Sequence, residues 1–289
     1  MRETTRIFGP EKHLVGTFTE ATSSRGPCPN LMVLLTNAGV VSRSGPHRIN
    51  VHLARRFAAM GLQSLRWDMS GIGDSGRPSN DLPMRDQFVA DTRAAMDEAQ
   101  RAYGVSHFVM IGFCSGAEVA YGTAMQDERV VGAVLFDLFT YPTWKTQWLR
   151  VKHRIRRYGL WSAARRLAFA ILARLMGRRS LASTNEGELP PITPSREEFA
   201  ARLNELHARG TRVLLLYSGE LELHNYERQF HDRFSRSGIV DKVDYAYLRE
   251  CDHVFTTAEG QRVLVSITAE WVHKLQAAVA ASNAAGRPY

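Results

Sequence analysis

Gly112-Phe113-Cys114-Ser115-Gly116 joins an apolar run, His107 to Ile111, to an alanine-rich run, Ala117 to Met125. A strand that turns into a helix within so few residues holds its central residue in a strained conformation. The residues two before and two after it must then carry almost no side chain. Both are glycine here, which makes Cys114 the central residue. Centring the turn on Ser115 would put Phe113 and Ala117 at the flanks, and phenylalanine does not meet that steric demand. The pentapeptide therefore predicts a cysteine nucleophile, raised above a sheet and facing the N-terminus of the helix that follows. A buried cysteine in an ordinary Gly-flanked turn is the competing reading.

Outward from this turn, strand and helix patterns alternate, which predicts an α/β fold with a mostly parallel sheet flanked by helices. Thr5 to Phe8 and Leu14 to Thr19 read as an antiparallel edge. Leu31 to Thr36, Leu62 to Trp67, Val105 to Ile111, Val130 to Phe136, Val213 to Tyr217 and Val243 to Leu248 read as further strands. Ile49 to Met60, Arg85 to Tyr103 and Ala258 to Ala280 read as helices. The stretch between Phe136 and Val213 breaks the alternation. It predicts a helical cap, 138–210, inserted into a core of 1–137 and 211–289, over the sheet edge where ligands of open α/β sheets bind.

The chain order nucleophile, acid, histidine belongs to a hydrolase built on such a sheet. The histidine candidate is His253, in Glu250-Cys251-Asp252-His253-Val254-Phe255, between the last strand and the last helix. The acid is expected in Ser218-Gly219-Glu220-Leu221-Glu222, with Glu222 first and Glu220 second. Asp137, at the end of the preceding strand, is the third choice. The oxyanion hole needs backbone amides: that of Ser115, and one from Asn37-Ala38-Gly39-Val40, either Val40 or Gly39.

These residues carry a resemblance to the α/β-hydrolase superfamily over nearly the whole chain. Arg66-Trp67-Asp68-Met69-Ser70-Gly71-Ile72-Gly73-Asp74-Ser75 is similar to its Asp-x-x-Gly-x-Gly-x-Ser loop, and the Asp252-His253-Val254-Phe255 box also fits. Ser44-Gly45-Pro46-His47-Arg48, Leu53-Ala54-Arg55 and Leu65-Arg66-Trp67-Asp68 resemble in particular the exosortase A-associated hydrolases found beside exopolysaccharide genes, which also place a cysteine at the turn. Asn37-Ala38-Gly39 departs from the superfamily's usual His-Gly pair, and a glutamate acid departs from its usual aspartate. A cysteine at this turn also resembles dienelactone hydrolases, polyhydroxyalkanoate synthases and the aminoacyl transferases of nonribosomal peptide pathways. The resemblance implies cysteine-dependent acyl transfer on a thioester or ester, by a thioesterase, hydrolase or acyltransferase. The alternatives are an ester hydrolase tied to exopolysaccharide assembly at the membrane and a non-catalytic binding protein of the same fold.

Composition sets the partners. The 289 residues carry three cysteines, Cys28, Cys114 and Cys251, too few and too scattered for a disulfide framework or a zinc site. No cofactor or metal is expected. The polar N-terminus has no signal-peptide core and no run reaches the length of a membrane span, so a cytoplasmic protein is expected. Between Leu138 and Asn185 there are eleven lysines and arginines and no Asp or Glu, more positive charge than the chain's whole net of +8. Arg154, Arg156 and Arg157 are its expected partner-binding residues. Interleaved aromatic and aliphatic residues make it read as basic amphipathic helices. An acidic acyl carrier protein, an anionic membrane surface or plain solvent are the partners it suits, with nucleic acid last for want of a recognition module.

Overall fold

The structure is a computed structural model in which residues 1–22, 30–153, 155–156 and 193–284 are described. Eight strands form one sheet in the order β1-β2-β4-β3-β5-β6-β7-β8. β1 (Glu3–Phe8) and β2 (Leu14–Thr19) make the antiparallel edge, and β2 also pairs antiparallel with β4 (Gln63–Asp68). From β4 onward all pairing is parallel, through β3 (Leu31–Leu35), β5 (His107–Phe113), β6 (Val130–Phe136), β7 (Arg212–Ser218) and β8 (Asp244–Leu248).

The central strands are apolar without alternation because helices cover both faces. β3 and β6 are buried at every residue. On one face α1 (Ile49–Ala59) and the closing helix Ala258–Ala284 bury Leu53, Phe57, Val272 and Leu275 against Val33, Val109 and Val134. On the other, α2 (Met84–Tyr103) and α3 (Ser115–Gln126) present alanines, Ala95, Ala99, Ala117, Ala120 and Ala124, so the helices approach the strands closely.

A third helix on that second face, Arg196–Ala208, begins with a capping box in which Ser195 accepts from the Glu198 amide and the Glu198 side chain accepts from the Ser195 amide. Its Phe199, Leu203 and Leu206 lie in the same cluster as the α3 alanines. A parallel step from β6 to β7 requires a crossover of this kind. The crossover helix thus falls inside the range 138–210 that the sequence assigns to the cap. Residues 144–153 and 155–156 of that range are also helical, while 154 and 157–192 lie outside the described residues. Among the described residues no helix is long and apolar enough to cross a membrane.

Candidate active site

The site lies at the carboxyl ends of β5, β6 and β8. β5 runs straight into the turn, where Cys114 has φ 54° and ψ −124° and α3 starts at the next residue. The flanking glycines are a matter of space. A Cβ on Gly112 would lie 2.3 Å from the Gly116 carbonyl oxygen, and one on Gly116 would lie 2.0 Å from the Asn37 carbonyl oxygen. Either substitution would force backbone apart and move Cys114. The Cys114 amide is anchored to the neighbouring strand by donating to the Phe136 carbonyl at 3.0 Å. Its side chain is half-buried.

Asp137 follows β6 directly and also has a positive φ, 52°. Positive φ at a non-glycine costs on the order of 1–3 kcal/mol and persists where the surroundings over-determine it. Here the Asp137 amide donates to the Leu216 carbonyl at 2.9 Å. Its wholly buried carboxylate accepts from the Ser218 amide, from the Ser218 hydroxyl and from His253 Nδ1, each at 2.7 Å. A carboxylate that accepts only requires the proton on Nδ1, which leaves Nε2 for the thiol side. The hydrogen bond His253 donates to Asp137 is the main reason that His253 is pushed up to about 10. A second hydrogen bond, to Cys114, adds to the shift, and burial opposes it. Phe255, two residues on, packs against Phe136 at 4.6 Å and Phe113 at 5.5 Å between ring centroids, which ties the histidine loop to β5 and β6. His224 shows what burial does without a carboxylate. It stacks on Tyr217 at 3.8 Å, meets the Tyr245 hydroxyl at 2.8 Å and is pushed down to about 3 by desolvation.

The structure therefore brings together Cys114, His253 and Asp137. The first choice for the acid, Glu222, is corrected: its side chain is 70% exposed and pairs with Arg150 at 2.9 Å, away from the imidazole. Glu220 reaches the histidine loop but accepts from the His253 backbone amide at 3.3 Å, not from the ring. The position at the end of β7 is taken by Ser218, which sequence reasoning passed over. No residue pattern marks it, because its role follows only from β6 and β7 lying side by side.

The expected oxyanion loop lies beside the turn. The Gly39 amide donates to the Ser115 hydroxyl at 2.8 Å, and the Val40 side chain projects into solvent, 88% exposed. Asn37 is buried. Its side-chain nitrogen donates to the Val41 carbonyl at 2.8 Å and its oxygen accepts from the Met69 amide at 2.9 Å, which fixes the loop at the end of β3. Of the other cysteines, Cys251 is buried, its thiol is pushed up by desolvation, and it points to the Gly260 carbonyl at 3.6 Å. Cys28 lies outside the described residues, as do Arg154 and Arg157; Arg156 is described and exposed. Among the described residues no three or more His, Cys, Asp or Glu are grouped to hold a metal ion.

The profile of the family described as "Serine aminopeptidase, S33" matches residues 41–218, well over half of the chain, from just after the Asn37–Val40 stretch through the Cys114 turn and Asp137 to the end of β7. The chain belongs to that family. Its fold is the α/β-hydrolase fold. A Pyrococcus furiosus esterase superposes with a TM-score of 0.61 at 16% identity, covering 94% of this chain and 91% of its own. A proline iminopeptidase from Mycobacterium smegmatis gives 0.60 at 16%, covering 96% and 100%. An α/β serine hydrolase without lid from Xanthomonas campestris gives 0.54 at 13%, covering 95% and 94%. No curated protein sequence matches the chain significantly. At the centre of the turn this chain carries Cys114, followed by Ser115.

Proposed function

We propose that this S33-family α/β hydrolase is a cysteine-dependent acyl-transfer enzyme that works through an acyl-Cys114 intermediate. The observation that carries the reading is the contact between the strained Cys114 and a His253 ring whose far nitrogen is held by Asp137. In the reaction, the Cys114 thiol passes its proton to His253 Nε2 and its Sγ attacks the carbonyl carbon of a thioester or ester. The new C–S bond forms as the donor's own C–S or C–O bond breaks. The departing thiol or alcohol takes its proton from His253 Nε2. Water then gives a proton to His253 and attacks the acyl-cysteine, which releases the acid and restores the thiol; an alcohol, amine or thiol in place of water makes the same cycle a transfer. Asp137 keeps the ring in the tautomer this requires. The developing oxyanion is held by the amides of Ser115 and Gly39, the latter handed over from the Ser115 hydroxyl.

Two points favour thioester donors. An acyl-cysteine is itself a thioester, so loading from coenzyme A or a carrier protein is close to isoenergetic. The loops that carry the site also expose apolar side chains, Val40 and Val41 after β3, Leu223 after β7 and Val254 after β8, which suit an acyl chain. The test is intact-protein mass spectrometry after mixing with a panel of acyl-coenzyme A and acyl-carrier thioesters. A mass gain equal to one acyl group in the wild type, absent in Cys114→Ala, is expected. An adduct that survives in Cys114→Ala, or turnover by that variant at the wild-type rate, overturns the reading.

A further inference from the structure

The helical residues 144–153, continued at 155–156, expose three large apolar side chains. Trp144 is 80% exposed, Trp148 49% and Val151 56%. At 100° per residue these three and the half-buried Ile155 fall within about 60° of one another. The opposite face makes the attachment. Thr146 is fully buried, its carbonyl accepts from Asn225 Nδ2 at 3.3 Å, and Arg150 pairs with Glu222. Beyond Arg150, Val151, Lys152 and His153 are all exposed.

The stripe therefore does nothing for the core, and two exposed indoles in water are unfavourable unless something covers them. Along one flank lie Lys145, Lys152 and Arg156, with Lys152 Nζ 5.1 Å from the Trp148 ring centre. No acid occurs from Leu138 to Asn185. An outward apolar ridge of tryptophans with cations alongside is how a helix lies in a lipid interface, the indoles at the headgroup boundary and the cations on anionic lipid.

We infer that this helix docks the protein on an anionic lipid bilayer. Its attachment to the loop after β7 sets the bilayer on the side of the sheet that carries Cys114, whatever the acyl donor is. The inference stands apart from the catalytic reading, because its test reads binding and not turnover.

The full-length protein is floated with phosphatidylcholine vesicles with and without phosphatidylglycerol, at low and high salt. Expected are binding that needs phosphatidylglycerol and weakens with salt, and a loss of about tenfold or more in Trp144→Ser/Trp148→Ser at unchanged melting temperature. Lys145→Glu/Lys152→Glu/Arg156→Glu should lose on the order of a hundredfold, and it carries the test if the tryptophan variant fails to fold. No association with phosphatidylglycerol vesicles overturns the inference, as does association that neither variant reduces. Salt-sensitive binding to poly-L-glutamate without vesicle binding also overturns it and assigns the surface to an acidic protein.

Discussion

Asp137 and Glu222 each follow a buried parallel strand at the same edge of the sheet, β6 in one case and β7 in the other, yet they have opposite surroundings. Asp137 comes one residue after its strand, is wholly buried and accepts three hydrogen bonds at 2.7 Å. Glu222 comes four residues after its strand, is mostly in water and holds one arginine. Distance from the strand end makes the difference. A carboxylate on the first residue past a strand is aimed by the sheet itself, whereas one further out has a long side chain on a loop and takes a solvated partner. Buried and fully bonded, the first can hold an imidazole in one orientation; the exposed pair is worth little.

The contrast is broken most easily by neutralising each carboxylate in turn. Asp137→Asn should lower kcat on a small activated ester by about 10³–10⁴-fold, because the amide selects the wrong imidazole tautomer, while Glu222→Gln should stay within about twofold. Comparable losses in the two variants would end the assignment to β6. A smaller effect sharpens it. Ser218→Ala removes one of the hydrogen bonds that aim Asp137 and leaves the carboxylate in place, so kcat should fall by about tenfold with KM little changed. A change in KM alone would mean that Ser218 touches substrate instead of positioning the acid.

The sheet was legible in the sequence because its central strands are continuous apolar runs set between amphipathic helices, and β2 and β6 have the bounds their patterns predict. Gly112 and Gly116 were legible for a local reason, since steric demands within one turn depend on neighbours in the chain. Asp137 ranked third because its merit is not local. The pattern Phe136-Asp137-Leu138 looks like any polar residue at a strand end until β7 is set beside it and Ser218 meets its carboxylate. The hydroxyl of Ser115 on the Gly39 amide is hidden for the same reason, 76 residues separating the two. The helix Arg196–Ala208 merged with the cap because the stretch before it obscures where the core resumes, although Ser195 and Glu198 carry a capping signature.

Folding raises His253 from the ordinary 6.5 to about 10, so it is the protonated ring that the folded state favours. Its contribution to stability is complete below about pH 6.5 and is lost as pH climbs through about 10. The most direct measurement is therefore an NMR titration of the His253 ring in the wild type, in Asp137→Asn and in Glu222→Gln. The expected result is a wild-type His253 midpoint far above 6.5 that drops sharply in Asp137→Asn and is unmoved in Glu222→Gln. A wild-type ring that titrates near 6.5, or a midpoint that follows Glu222 instead of Asp137, would contradict it.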